Sequence, residues 1–377
     1  MISENAYERY HRQIILKGFG TTAQEKLLRA KVLVIGAGGL GCPILQYLTG
    51  AGVGTLGIVD DDIASLSDLH RQVLYNTEDI GLLKAERAAE KLKILNPDIH
   101  FIIYTERLDN QNALEIIREF DWIIDGTDNF ESRYMINDAC VLLQKPYVFG
   151  AVSQFQGQVA IFNHADGSTA ANYRDLFPEP PKEGEVLNCA EAGVLGVLPG
   201  IIGIMQATEV IKCITNIGKP LYNKLITYNA LTNDLYEVEI SSSPVSREYI
   251  PADEAAFKKM NYRHFCHIHE KETLEIDGAT FKSLSGREST VIIDVREKGE
   301  LPLINSFEHL QLPMSNFKNG IADIEEKTLL LFCQHGIRSL TAGNIVHEMF
   351  GSEKNVYSLK GGLVKWGKEL GLHSLEQ

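Results

Sequence analysis

Two groups of residues in this chain have types and spacings that do chemistry. The first opens at Gly36-Ala37-Gly38-Gly39-Leu40-Gly41, where Gly36, Gly38 and Gly41 fit G-x-G-x-x-G. Without Cβ atoms these positions permit a tight turn, a close backbone approach to phosphate, and close packing of helix on strand. A helix N-terminus there offers N–H groups and a positive dipole end to an anion. Asp60 ends the next apolar run, Thr55 to Val59, where an acid holds a ribose hydroxyl. Alone, this pattern says nucleotide and fits NAD, FAD and ATP binders alike. The residues that follow narrow it. Asp62, Asp128 and Asn129 fall, with Asp60, at the carboxyl ends of expected strands, and Arg71 and Lys84 supply cations. Oxygen ligands for a metal and cations for phosphates suit a magnesium triphosphate. A solvated acidic loop explains any one of these acids but not the set. Arg9 and Arg12 lie three apart, so they share one face of an N-terminal helix. They are candidates for a cation delivered to a nucleotide, from a second subunit.

The second group is Cys333-Gln334-His335-Gly336-Ile337-Arg338. It stands where a strand ends and a helix begins, so turn amides and the helix dipole favour a thiolate, and Arg338 adds positive charge. A buried, inert cysteine is the alternative, and the polar, glycine-containing loop argues against it. Four residues separate Cys333 from Arg338. A ring that small suits one sulfur atom better than a phosphate, so persulfide chemistry is favoured over phosphate hydrolysis.

The elements that position these groups read as alternating strand and helix. Residues 1–30 look helical. Val32–Ile35, Thr55–Val59, Phe101–Tyr104 and Trp122–Asp125 read as buried strands, with helices between them. Residues 147–162 suggest further strands, Ile201–Ile214 a buried helix, and Leu225–Tyr228 and Leu235–Ile240 closing strands. Residues 163–190 lose periodicity and hold three prolines, which reads as a long mobile loop with Cys189 at its end. From Ser241 the composition turns polar. The chain therefore divides into 1–243, a linker over 244–270, and a second unit over 271–377. In the second unit Val291–Arg296, Thr328–Phe332 and Val356–Leu359 read as strands and Leu340–Phe350 as a helix.

The chain has 377 residues, 44% of them hydrophobic and 23% charged, an ordinary globular composition. Its net charge of −14 argues against nucleic acid or an anionic membrane as the main partner. The six cysteines are scattered without a C-x-x-C pair, and residues 1–5 show no basic-then-apolar leader. The expectation is a reducing cytoplasm and free thiols. The apolar stretch Val194–Met205 is too short to span a bilayer.

With these residues in view, the front two thirds resemble the MoeB/ThiF family of the ubiquitin-activating superfamily. The matching pieces are Arg9-Tyr10-His11-Arg12-Gln13, Gly36–Gly41, Asp60-x-Asp62, Ser67-Asp68-Leu69-His70-Arg71-Gln72, Lys84, Thr127-Asp128-Asn129 and Asn188–Gly193. The last third resembles a rhodanese domain through Asp294-Val295-Arg296, the Cys333–Arg338 loop, and Gly361-Gly362 with Trp366. The resemblance implies an α/β protein: a Rossmann-like, mostly parallel sheet that adenylates, plus a smaller α/β rhodanese-like domain. It implies ATP- and Mg²⁺-dependent adenylation of the C-terminal Gly-Gly of a small ubiquitin-like sulfur carrier of MoaD or ThiS type. Sulfur from a persulfide then gives a thiocarboxylate for molybdopterin or thiamine-thiazole synthesis. By the resemblance, Gly36, Gly38, Gly39 and Gly41 hold the nucleotide and Asp60 takes the ribose. Arg71 and Lys84 contact phosphates, with Asp62, Ser67, Asp68, Gln72 and Asn129 around them. Asp128 governs Mg²⁺ and the reacting carboxylate, and Arg12 reaches across a homodimer. Cys333 carries the persulfide beside Arg338, and Cys189 resolves an acyl disulfide. An upstream persulfide donor is a further implied partner.

The chain departs from the family at several points. Many relatives carry two C-x-x-C pairs for a structural zinc; here their places fall at Asn172–Asp175 and near Pro244–Arg247, so no zinc of that kind is expected. Asp68 stands where the family usually has Asn. His264, Cys266, His267 and His269 are read as a solvated linker rather than a metal site. The Gly-His-Ile usual in rhodaneses is absent near residues 303–312. Two other functions compete. One is an NAD-dependent oxidoreductase, which has no need of Arg71, Lys84 and Asp128 together. The other is an activating enzyme whose rhodanese module only docks a partner.

Overall fold

β1 (Lys31–Ile35) is an apolar strand that runs straight into the glycine turn, and its neighbours define the architecture. In a computed structural model describing residues 2–180, 193–262, 273–287, 289–350 and 354–367, the chain falls into two units, Met1–Ile268 and His269–Gln377. In the first unit β1 lies between β2 (Thr55–Val59) and β4 (Trp122–Asp125), parallel to both. The eight-stranded sheet has the order β3-β2-β1-β4-β5-β6-β7-β8, where β3 is His100–Tyr104, β5 Tyr147–Ser153, β6 Gln156–Phe162, β7 Lys224–Asn229 and β8 Asp234–Glu239. The run from β3 to β5 is parallel and the run from β5 to β8 antiparallel. Because the chain leaves β1 toward β2 on one side and later returns to β4 on the other, a crevice opens at its carboxyl end.

Two apolar layers cover this sheet. One contains Val32, Val34, Leu45, Leu48, Ile202 and Val210; the other contains Leu33, Ile117, Phe120, Tyr134, Phe149 and Phe162. The helix Leu198–Thr215 is long and apolar enough to cross a membrane, but it is a core helix. Gly150 and Gly157 admit it: a Cβ on either would lie 2.3 Å from Gln206 or Ile202.

The second unit is a five-stranded parallel sheet of order β11-β10-β12-β13-β9. Here β9 is Leu274–Ile276, β10 Thr290–Asp294, β11 Leu310–Gln311, β12 Thr328–Phe332 and β13 Asn355–Leu359. Its core holds Ile293, Leu329, Leu331 and Val346 on one side and Phe281, Leu330, Phe332 and Leu363 on the other.

Two stretches differ from the expectation. The linker read over 244–270 does not begin at 244. Residues 244–262 fold back on the first unit: Phe257 is buried, Asn110 Nδ2 donates to the Lys258 and Met260 carbonyls, and Tyr262 O–H donates to Asp138 at 3.0 Å. Polar composition concealed a segment held by two aromatic anchors. The loop read over 163–190 is likewise docked in part. Asn172 and Asp175 cap a short helix reciprocally, and Arg174 is buried in a two-pronged pair with Asp138. Asp175 Oδ1 accepts from Ser243 N–H and Ser246 O–H, so hydrogen bonds join the short helix to the segment that begins at Ser243. Residues 181–192, with Cys189, and 263–272, with His264, Cys266, His267 and His269, lie outside the described residues.

Candidate active sites

The carboxyl ends of β1, β2 and β4 border a cavity of about 760 Å³. Gly36 takes a φ of +93°, and a Cβ there would stand 2.7 Å from the Gly126 carbonyl oxygen. Gly41 packs its helix on the turn; its Cβ would stand 1.9 Å from the Gly36 oxygen, so Gly41 shapes the site without lining it. Asp60 pins the turn by accepting Ala37 N–H at 2.7 Å and its own loop's Asp62 N–H at 2.9 Å. Burial pushes its carboxyl above the usual range, against those two amides and Lys84.

Opposite the glycines, Lys84 begins the helix Lys84–Leu95 with only 5% of its surface exposed. Its Nζ is 3.3 Å from Asp62 and 3.5 Å from Asp68. Burial works against its charge, but Asp60, Asp62 and Asp68 hold its proton more firmly than usual. Asp68 is a hub. It accepts Ser65 N–H and O–H on one oxygen, and Arg71 Nη2 and Gln72 Nε2, each at 3.0 Å, on the other. Burial would raise its carboxyl, yet Ser65, Lys84 and Arg71 keep it below the ordinary value. Arg71 is steadied further by the Ser67 carbonyl at 2.8 Å. Arg71 and Lys84 are therefore held in place at the cavity wall by the groups around them. Gln72 Oε1 is buried with no hydrogen-bond partner among the described residues, beside Gly38.

On the third side the buried Asp125 accepts Thr127 N–H and O–H and Tyr147 O–H, which fixes the loop carrying Asp128. Burial drives the Asp125 carboxyl upward. Asp128 lines the cavity. Asn129 lines it too, but its side-chain oxygen caps the helix Phe130–Leu142 by accepting Ser132 N–H at 2.9 Å. Of the expected residues Gly36, Gly38, Gly39, Asp60, Asp62, Ser67, Asp68, Arg71, Gln72, Lys84, Asp128 and Asn129 line one space. Arg12 does not; it is exposed on the helix Glu4–Ile14. His70, Arg107 and Arg133 also line the cavity and were missed. The signal for Arg133 was its place one helical turn beyond the capping Asn129. No cluster of three or more His, Cys, Asp or Glu able to hold a metal occurs among the described residues. Magnesium held mainly by phosphate oxygens needs only one or two carboxylates, and Asp128 fits that part.

In the second unit Cys333 follows β12 directly and is 1% exposed. Gly336, at φ +89°, turns its N–H onto the sulfur at 3.1 Å. Arg338, in the first turn of the helix Ile337–Phe350, does not lend the sulfur a free charge as expected. Glu300 holds it in a two-pronged pair at 2.5 and 2.7 Å. Asp294 likewise grips Arg296, whose Nη1 and Nη2 donate to the Pro302 carbonyl. The other described cysteines are poor nucleophiles: burial pushes the Cys42 and Cys213 thiols up to about 12 and Cys140 well above its usual value.

Residues 10–247 match the ThiF family model and residues 278–369 the rhodanese-like domain model. A sulfur carrier protein adenylyltransferase of Thermus thermophilus is 49% identical over 262 residues, covering 69% of this chain and 96% of its own length. A probable adenylyltransferase/sulfurtransferase of Mycobacterium tuberculosis, MoeZ, is 37% identical and covers 98% of this chain and 95% of itself. The crystal structure of E. coli MccB with ATP aligns with a TM-score of 0.55 at 23% identity, over 63% of this chain and 73% of that one, a likeness of fold.

Proposed function

The chain belongs to the ThiF family and carries a rhodanese-like domain, and from that premise we propose that it activates and then thiolates the C-terminal Gly-Gly of a small ubiquitin-like sulfur carrier. It is an enzyme of the adenylyltransferase and sulfurtransferase type. The observation that carries the first activity is the single cavity joining the glycine turn, Arg71, Lys84 and Asp128. In this reading the glycine amides and the two cations grip the triphosphate, and Asp60 accepts from the ribose. Asp128 holds Mg²⁺, which neutralises phosphate charge when bound. A hydride-transfer enzyme has no use for that set of cations.

The carrier carboxylate attacks the α-phosphorus, the α–β anhydride bond breaks, and pyrophosphate leaves. The positioned cations neutralise the charge that develops. The terminal sulfur of a Cys333 persulfide attacks the acyl carbon, AMP leaves with the electron pair, and an acyl disulfide results. A second thiolate, for which Cys189 is the candidate, attacks the Cys333 sulfur. The carrier departs as thiocarboxylate and a disulfide remains, which a cellular thiol reduces before a persulfide donor reloads Cys333. This chemistry suits a reducing cytoplasm. Molybdopterin and thiamine-thiazole assembly are the two routes proposed for the product.

A homodimer with Arg12 crossing to the partner's site belongs to the same proposal. The test is ATP–pyrophosphate exchange with purified carriers. Exchange that requires an intact Gly-Gly terminus supports the proposal, and the carrier accepted identifies the route. Exchange without any carrier, or none with either type, defeats it.

A further inference from the structure

Two buried serines from different elements stand behind the Cys333 sulfur. Ser339 Oγ, in the first turn of the helix Ile337–Phe350, lies 3.6 Å from Sγ. Ser358 Oγ, from β13, lies 2.8 Å from Ser339 Oγ. Both serines are 0% exposed. The Gly336 carbonyl accepts from Ser339 at 3.0 Å and is 3.5 Å from Ser358, while the Gly336 N–H donates to the sulfur.

A hydroxyl both donates and accepts, and its proton rotates at little cost. With a neutral thiol, S–H donates to Ser339 Oγ, Ser339 O–H donates to the Gly336 carbonyl, and Ser358 O–H donates to Ser339. When the thiol gives its proton to a solvent base, Ser339 O–H swings onto the sulfur anion. Ser358 O–H still donates to Ser339, and no heavy atom moves. The anion then has two donors, Gly336 N–H and Ser339 O–H, in a setting where an unpaired buried charge is costly. Arg338 is unsuited to the task because Glu300 already holds it.

We propose that Ser339 and Ser358 form a hydroxyl switch that stabilises the Cys333 sulfur as an anion, both as the free thiolate that takes sulfur from a donor and as the group left behind when an outside nucleophile such as cyanide takes the persulfide sulfur. Ser339 touches the reacting sulfur; Ser358 is a positioning residue that acts through Ser339. The inference rests on Cys333 being the sulfur-carrying residue.

The test is iodoacetamide alkylation of the full chain across pH, with the Cys333 peptide read by mass spectrometry. It does not depend on the carrier or on turnover. Thiosulfate–cyanide sulfur transfer is followed in parallel and reports separately on the persulfide reading. Ser339→Ala should raise the pH of half-maximal alkylation by about one unit, the size of one lost hydrogen bond to a charged group. Ser358→Ala should shift it the same way but less, and Ser339→Thr should keep the wild-type profile. Profiles of Ser339→Ala and Ser358→Ala that superpose on wild type along the pH axis would overturn the switch, even if the plateau rate falls. So would a Ser339→Thr shift as large as that of alanine. If Ser339→Ala does not fold, an unshifted Ser358→Ala profile decides against the proposal.

Discussion

The cavity beyond β1 and the cysteine loop beyond β12 are built from the same device and differ in what surrounds them. Each begins where a parallel strand ends, β1 or β12, and each turns through a glycine of positive φ into a helix. Beyond β1 the crossovers diverge and leave about 760 Å³ lined with acids and cations. Beyond β12 the segment Gly361–Val364 closes the space: Leu363 and Val364 donate their N–H groups to the Cys333 and Gln334 carbonyls, and a Cβ on Gly362 would stand 2.5 Å from the Cys333 oxygen. The open strand-to-helix turn is lined by cations paired with acids, the setting the proposed function assigns to a polyanion. The covered one surrounds a single sulfur atom with an amide and a hydroxyl. The full charge near it, Arg338, is already neutralised.

Substitutions that separate the two sites sharpen this contrast. The largest effect is expected for Cys333→Ser, which abolishes carrier thiolation and leaves ATP–pyrophosphate exchange at its wild-type rate; loss of exchange would mean the sites are not separate. Next is Lys84→Ala, which should lower exchange by about 10²–10³-fold, as for loss of one preorganised charge, with Cys333 alkylation unchanged. Asp68→Asn should cost exchange less, about tenfold, because Arg71 and Lys84 keep their other partners. Its pH signature is specific. The Asp68 carboxyl sits below its ordinary value of 3.8, so its contribution to stability is present above that value and fades as pH falls through the lower folded one. Acid unfolding of the Asn variant should lack that component. The smallest effect is expected for Glu300→Gln. Arg338 holds the Glu300 carboxyl below its ordinary 4.5, so the pair stabilises above that range and is lost on acidification. The pair is partly exposed, so the loss in thermal unfolding should stay under about 1 kcal/mol. With its partner gone, Arg338 should speed Cys333 alkylation a few-fold.

That the glycine turn, Asp60, Lys84 and Asp128 meet at one cavity was legible, because strand ends, turn glycines and cations leave marks at fixed offsets. The adenylating sheet was legible for the same reason, since β1, β2 and β4 are near-continuous apolar runs. Arg133 was not, because its approach to the cavity depends on the phase of a helix capped by Asn129. Nor was the role of Asp68: a lone acid in a polar stretch does not announce that it grips two cations and an amide. Residues 244–262 misled because Phe257 and Tyr262 are isolated among polar neighbours. In the cysteine loop the position of Cys333 was readable and its burial was not. What covers it comes from Gly361–Val364, almost thirty residues along the chain.

Under the proposed function an acyl-adenylate made at Lys84 and Asp128 is intercepted by sulfur carried on Cys333. One reaction containing the full chain, a Gly-Gly carrier, ATP, Mg²⁺ and thiosulfate, with AMP and carrier mass followed together, decides this. The expected products are AMP and a carrier in which sulfur has replaced one oxygen. Lys84→Ala should block both together with ATP–pyrophosphate exchange, and Cys333→Ser should block both while leaving that exchange intact. Thiocarboxylate formed at the wild-type rate by Cys333→Ser, or AMP released undiminished by Lys84→Ala, would contradict it.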